Sequence, residues 1–334
     1  MEFEKAGGND YKVSYHLIEK RIEWMNIKGI RHWNVYDYLN VYPLSHYQSL
    51  QEKGELFVLK DDGRIVCTGA LLNDDPRWTN KQSAYYIHHL TAEVSDKHYG
   101  QIFINKAIIY TLENKRQYLR LDSSVNYPKL EEYYSKLGFR ECGECVDGDY
   151  KGILRQLDLH DKKSLRKYIK SMELDDEYIN RASLEIENRV ISSDKYKKAQ
   201  SIFVYLSSDN EVKTNMIMME ALKDHKKVYV PRCYNDEMKA VLIDENSKYF
   251  INSYGIKEPM DDSSIADNSD LVIVPCISAG RDLSRLGHGK GFYDRYLKDH
   301  PSYKMVLCFK RKILPAIPMD ENDVRMDEIV SENI

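Results

Sequence analysis

The chain has 334 residues, 42% of them hydrophobic and 31% charged, and a formal net charge of −4. That length favours two domains over one. No run approaches the roughly 18 apolar residues that cross a bilayer, and the acidic balance gives no electrostatic reason to expect nucleic acid; neither membrane nor nucleic acid is an expected partner.

The start, MEFEKAGGND, lacks the basic and apolar regions of a secretory signal. Six cysteines, at 67, 142, 145, 233, 276 and 308, are too scattered for a disulfide framework. Reduced thiols and a cytoplasmic location are the expectation. Cys142 and Cys145 form a CxxC with no second CxxC or histidine pair at zinc-ligand spacing, and read as two thiols on a strand. Oligomeric state is not legible in these patterns.

In chain order, residues 13 to 26 carry apolar groups at helical spacing, and Trp33 follows in a loop. Glu55 to Lys60, the turn Asp61-Asp62-Gly63 and Arg64 to Leu72 read as a hairpin. A long strand is expected at Ala84 to Thr91, then a polar loop, Ser95 to Gln101, opening a helix from about Ile102 to Asn114. A strand at Tyr118 to Asp122 precedes a helix from Pro128 to Leu137. Pro128 suits a first helical turn and Gly138 a helix end. Two closing strands run near Phe139 to Cys142 and Asp149 to Leu157.

The stretches YYIHHLTAEVSDKHYGQIFINKAI and YLRLDSSVNYPKLEEYYSKLGF resemble the GNAT-type N-acetyltransferases, over roughly residues 12 to 157. The resemblance implies a mixed α/β domain that binds acetyl-CoA. In that family a loop after the long strand holds the pyrophosphate with backbone amides at a helix start. Here the loop is Lys97-His98-Tyr99-Gly100-Gln101-Ile102, with Lys97 and Gly100 in the matching places and Ile102 where a small residue is usual. Tyr134 falls where the family often has the tyrosine that protonates the departing CoA thiolate, and Tyr127 where an asparagine is usual. Either His88 or His89 faces the substrate as a base, or one is packed and the other solvated.

A polar linker is expected at about 158 to 161, separating a first domain, 1–157, from a second, 162–334. In KKSLRKYIKSM, Leu165, Ile169 and Met172 form one helical face and Lys162, Arg166 and Lys170 a basic one. A helix near Asp176 to Ile191 follows. Strands at Ser201–Ser207, Lys227–Pro231, Leu271–Pro275 and Met305–Phe309 alternate with helices, and Met238–Ile243 reads as an added antiparallel strand. The whole chain is therefore α/β, and its second domain a three-layer α/β/α fold on a largely parallel sheet.

Within it, Gly287, Gly289 and Gly291 alternate in RLGHGKGFYDRYL, between an apolar strand and a helix. Such a loop admits phosphate oxygens to backbone amides, with Arg285 and Lys290 adding positive charge. No GxxxxGK[ST] is present, so it is not a Walker loop.

Six blocks in order, KKSLR, SIFVYLSSDNEVKT, VYVPR, DLVIVP, RLGHGKGFYDRYL and DENDVRMDEIV, resemble the 5-formyltetrahydrofolate cyclo-ligases over residues 162 to about 330. The resemblance implies ATP- and Mg²⁺-dependent closure of 5-formyltetrahydrofolate to the methenyl form, through phosphorylation of the formyl oxygen. It implies that Lys162, Arg166, Arg285, Gly287, His288, Gly289, Lys290 and Gly291 bind the nucleotide. Ser208, Glu211, Lys213, Phe292 and Tyr293 are implied on the folate side, Lys290 and Tyr293 in catalysis, and Asp294 and Asp323 as metal ligands. Lys213 stands where the family usually has an acidic residue, Cys276 where it has a glycine and Gly280 where it has an aspartate. The expected function is a cyclo-ligase with an attached acetyltransferase-like domain of unknown acceptor. The alternatives are an acetyltransferase whose second half binds nucleotide or folate only to regulate, and a ligand-sensing or scaffold protein without catalysis.

Overall fold

The Asp-Asp-Gly turn forms as its chemistry requires. Asp62 and Gly63 both take positive φ, 50° and 75°, which lets a two-residue turn follow the twist of the flanking strands. The computed structural model describes all residues except 236, 253, 254, 256, 262, 263, 267 and 334. It divides into two compact units, Met1–Tyr168 and Ile169–Ile334. No helix among the described residues is long and apolar enough to cross a membrane.

The first unit runs β1 (Glu2–Lys5), α1 (Asp10–Lys28), α2 (Tyr38–Val41), α3 (Leu44–Glu52), β2 (Leu56–Asp61), β3 (Arg64–Leu72), β4 (Ala84–Ala92), α4 (Tyr99–Glu113), β5 (Tyr118–Ser124), α5 (Lys129–Lys136), β6 (Arg140–Asp147) and β7 (Tyr150–Asp158). Its seven strands form one sheet in the order β1-β2-β3-β4-β5-β7-β6, in which only β4 and β5 are parallel. That parallel pairing covers Ala84–Ile87 against Tyr118–Leu121 and stops there. Beyond it, Gly69 of β3 faces two residues of β4, His89 and Leu90, in a bulge. His89 takes φ 55° at this point. Gly69 has no room for a side chain, since a Cβ would lie 2.9 Å from the Phe103 ring.

Two expectations shift. Helix α4 begins at Tyr99 rather than near Ile102: the Tyr99 ring is buried, and its hydroxyl donates to Asp61 at 3.0 Å, pinning the first turn. Strand β6 runs on to Asp147 because a bulge between Glu141 and Glu144 carries it past Gly143, whose φ is 123°. Cys142 then points to solvent while Cys145 is buried, and both thiols are free.

Helix α6 (Lys162–Lys170) spans the division between the units. Its apolar face is Leu165, Tyr168 and Ile169, while Met172 falls beyond the helix end. The second unit continues with α7 (Asp176–Ser192), α8 (Asp194–Lys198), β8 (Ser201–Val204), α9 (Asn215–Lys223), β9 (Lys227–Tyr234), β10 (Glu237–Ile243), β11 (Tyr249–Ile251), β12 (Lys257–Pro259) and β13 (Ile265–Ala266). After these come β14 (Leu271–Val274), β15 (Ser278–Gly280), β16 (Arg285–Leu286), α10 (Phe292–Asp299), β17 (Tyr303–Leu307), β18 (Ile313–Leu314) and β19 (Glu328–Val330).

The main sheet has the order β13-β10-β9-β8-β14-β17-β19, parallel from β9 to β19 and antiparallel at β10 and β13. Central β14 shows why the sheet is covered on both sides. Leu271 and Ile273 enter one apolar cluster with residues of α7 and α9, and Val272 and Val274 enter another with residues of α10. Each such side chain contributes about 1.5–3 kcal/mol on burial. The small sheet β16-β15-β18 carries the glycine loop beyond the end of β14.

Gly280 has a local reason. A Cβ there would overlap the Ser284 hydroxyl and the Asp282 carboxylate and lie 2.9 Å from the Ile317 nitrogen. Asp282 thus fills the space that an aspartate at 280 would need. Gly280→Asp is expected to destabilise the second unit by about 2–4 kcal/mol through overpacking and like charge, read as a lower midpoint in urea.

Candidate functional site

Arg285 is the buried centre of the glycine-loop site, its side chain 4% exposed. It donates from Nη2 to Asp294 Oδ2 at 2.7 Å and from Nη1 to the Pro275 carbonyl at 3.2 Å. Its Nε is buried without a protein partner. The three glycines are each required. A Cβ on Gly287 would lie 2.8 Å from Arg285 Nη1, and Gly289 and Gly291 have φ of 97° and 69°. Gly291 caps α10, whose first turn holds Asp294. Asp294 Oδ1 accepts at 3.4 Å from the amide of Val324, the residue after Asp323. Asp323 is half-buried, and its Oδ2 accepts from the Asp320 amide at 2.7 Å.

Glu211 ties this loop to the end of β8. Its Oε2 accepts from the Ser208 amide and hydroxyl at 2.9 and 2.8 Å, and its Oε1 lies 3.0 Å from His288 Nε2. Burial alone would raise the Glu211 carboxyl, but the hydrogen bonds from His288 and Ser208 outweigh it and hold the group below its ordinary range. Tyr293 stacks on Phe203 with ring centres 6.1 Å apart, and its hydroxyl is buried without a partner. Burial, with Glu211 nearby, pushes that hydroxyl well up, so it stays protonated.

The first unit has its own cavity, of about 670 Å³. It lies where β4 and β5 stop pairing, and His88, His89, Asp122 and Tyr134 line it. His88 Nε2 is 2.9 Å from Asp75 Oδ2. Burial would raise the Asp75 carboxyl, but the His88 hydrogen bond and charge outweigh it and lower it. Asp75, His88 and Asp122 have ligand atoms within 4.8 Å of one another. A guanidinium already stands among them: Arg77 Nη1 donates to Asp122 at 3.0 Å and lies 3.4 Å from His88 Nδ1, while Nη2 donates to Asp147 at 2.7 Å. A fixed cation there disfavours a metal ion, so the cluster is an ion network. His89 is packed, with Nδ1 2.6 Å from the Tyr38 hydroxyl and Nε2 3.1 Å from His46; burial drives it well below its ordinary range, so it is neutral. Of the two histidines, His88 is the one joined to the carboxylates.

The sequence model of the 5-formyltetrahydrofolate cyclo-ligase family matches residues 151–332, more than half of the chain. The chain belongs to this family. It is 31% identical to the probable 5-formyltetrahydrofolate cyclo-ligase of Schizosaccharomyces pombe over 192 residues, 51% of this chain and 94% of that one. Among solved structures it is similar to the 5,10-methenyltetrahydrofolate synthetase of Aquifex aeolicus, 26% identical, covering 51% of this chain and 88% of that one, with a TM-score of 0.47. It is also similar to a GNAT-family acetyltransferase of Listeria monocytogenes, 18% identical, covering 47% of this chain and 94% of that one, with a TM-score of 0.40.

In the cyclo-ligase half, the fold brings together Ser208, Glu211, Arg285, His288, Tyr293 and Asp294. Lys290 is exposed on the loop, its carbonyl accepting from Arg295 at 3.0 Å, and Phe292 is half-buried under the Arg295 guanidinium. Lys213 is half-buried, with its amide on Ser183 Oγ at 3.0 Å. Lys162 and Arg166 stand one turn apart on α6, in the first compact unit. Also in that unit, Tyr134 and Gly100 line the cavity, while Lys97 pairs with Asp61 at 2.9 Å.

Three features escape a reading of the sequence. Arg285 and Asp294, assigned separately to phosphate and metal, are partners of each other. Lys312, in the run Lys310-Arg311-Lys312, is buried, with Nζ 3.5 Å from the Asn210 carbonyl and its amine lowered by that burial. The Asp75–His88 pair and Arg77 carry no motif; only the spacing of a polar loop to a strand placed them within reach.

Proposed function

We propose that the second half, residues 162–334, converts 5-formyltetrahydrofolate to 5,10-methenyltetrahydrofolate with ATP and Mg²⁺. The observation that supports this most is Arg285: a buried guanidinium fixed by Asp294, with Nε unpartnered beside three glycines that leave the loop open. A carboxylate pair and phosphate oxygens suit Mg²⁺, and Asp294 with Asp323 would hold it. ATP with Mg²⁺ supplies the phosphoryl group that turns the formyl oxygen into a leaving group for ring closure.

The chain's own residues would bind and orient. Arg285, Lys290 and the glycine amides meet phosphate oxygens, with His288 bridging to the folate side. Glu211, kept ionised, accepts from the pterin's N–H groups. Phe292 and Tyr293 border the folate, and the protonated Tyr293 hydroxyl can donate to it. Lys213 cannot accept such bonds, so pterin contact there differs from the acidic pattern. Purified protein with 5-formyltetrahydrofolate, Mg²⁺ and ATP should develop the methenyl absorbance; its absence despite measurable ATP binding would remove this reading.

We propose further that the first unit, over residues 1–157, binds acetyl-CoA and acetylates an amine. The parting of β4 and β5 above a cavity that Tyr134 lines supports this. Tyr134 would protonate the departing sulfur, and Gly100 at the start of α4, with Lys97 before it, would meet the pyrophosphate. Calorimetry with acetyl-CoA tests it, and no heat of binding would refute it. Acetyl-CoA binding without cyclo-ligase turnover would favour a second half that only regulates, a reading to which Lys213 lends some support.

A further inference from the structure

Four carboxylates and two guanidiniums line the first unit's cavity: Asp37, Asp122, Asp147 and Asp149 against Arg21 and Arg77. Arg77 is clasped by Asp122 and Asp147, and Arg21 donates to the Ala92 carbonyl. Asp37 and Asp149 have no cation paired with them among the described residues, and the Asn40 amide is the side-chain donor on Asp37. The surplus charge is therefore negative.

It is also layered. The Asp122 side chain is 9% exposed, at the floor, while that of Asp147 is 57% exposed. Asp37 and Asp149 are exposed too, so the mouth is acidic. Half-buried aromatic rings line the cavity as well, among them Trp33, Tyr36, Tyr42, Tyr127 and Tyr150. Ring faces and carboxylates are the two surfaces that hold an organic ammonium. A dicarboxylate entering in the acceptor's place would meet the acidic residues Asp37, Asp147 and Asp149 and be repelled.

Depth changes the protonation of what enters. At the mouth an amine stays charged. At the floor the Arg77 guanidinium offsets the Asp122 carboxylate, and removal from water favours the neutral amine. A ligand with two amines separated by a short apolar stem satisfies both ends: charged outside, neutral and nucleophilic inside.

We infer that this cavity takes a small linear diamine. Its acetylation rests on the acetyltransferase reading; its binding does not. The test is calorimetric titration of the whole chain with diaminobutane, butylamine and succinate, each with and without saturating CoA, repeated on the Asp37→Asn, Asp149→Asn double variant. Both substitutions lie on exposed positions outside the buried network. Diaminobutane should bind about 10-fold or more tightly than butylamine, the scale of one extra charge–carboxylate and ring contact. The double variant should lose most of that preference, and succinate should not bind. Equal affinity for the two amines in both states, a preference unchanged in the double variant, or binding of succinate would each overturn the inference. A diamine preference with no binding of acetyl-CoA would sink the acetyltransferase reading alone.

Discussion

Asp294→Asn should lower cyclo-ligase turnover by about 100-fold or more while leaving the second unit folded. The carboxylate has two duties. Its Oδ2 holds Arg285 at 2.7 Å, and its Oδ1 has only the long bond from the Val324 amide, 3.4 Å, leaving capacity for a cation. An asparagine oxygen can still accept from Arg285, so the guanidinium keeps a partner, at a cost of about 1 kcal/mol for the lost charge. Asp294→Ala is the harsher change, because an unpaired buried guanidinium costs about 3–5 kcal/mol. Comparing the two separates the roles. If Asp294 served only to hold Arg285, the asparagine variant would keep its activity. Loss of activity with a nearly unchanged thermal midpoint, together with weaker ATP binding in Mg²⁺ but not in its absence, places the deficit in metal-nucleotide use. The loss should be of that order because charge at a phosphoryl group is stabilised by fixed groups in a dry site.

The pairing of Arg285 with Asp294 also marks where reading the sequence stops. Glycines 287, 289 and 291 mark a loop in which the backbone is open, and the apolar strand before it and the helix after it are what suggest phosphate. The β2–β3 hairpin is equally legible, because a two-residue turn demands positive φ at both positions. Alternating strands and helices predict the parallel sheet for the same reason: each element is specified locally. A buried ion pair is different. It depends on how β16 and the first turn of α10 meet across the glycine loop, and an arginine and an aspartate nine residues apart have many other possible partners. Lys312 is hidden for a related reason: the strand β18 that follows pairs with β15, and that register turns the lysine inward. The start of α4 was misplaced because an amphipathic tyrosine reads as loop, yet its ring packs and its hydroxyl reaches Asp61.

The same distinction applies to positions where this chain departs from the family pattern. Gly280 departs from the aspartate pattern without emptying the space, because Asp282 fills it and bonds to Ser284 and Arg325. Lys213 meets Ser183 through its backbone amide, which supplies no carboxylate, so under the proposed reading pterin contact at this position should differ from the acidic pattern.

Tyr134→Phe should reduce acetyl transfer by about 100-fold or more, the usual range for a positioned proton donor, with acetyl-CoA binding unchanged. The tyrosine is 9% exposed and stands on α5, packed edge to face on Phe139 with ring centres 5.7 Å apart. Phenylalanine keeps that packing, so a lower rate cannot be blamed on a collapsed wall. Burial, aided by Tyr133 and Asp122, pushes the phenol well above its ordinary range, and Tyr133 itself is pushed up to about 12. A phenol so placed keeps its proton in neutral solution; it can give that proton to sulfur as the carbon–sulfur bond breaks and the amine nitrogen bonds to the acetyl carbon, and the proton released by the nitrogen then restores the phenol. The rate should therefore rise with pH as the acceptor amine loses its proton, and show no fall up to the ordinary tyrosine pKa near 10. A descending limb in neutral solution would mean that some other acid gives the proton. The phenylalanine variant should show the same rising limb at a lower plateau, because the amine's own titration is untouched. An unchanged plateau would remove Tyr134 from catalysis and leave it as a wall of the cavity.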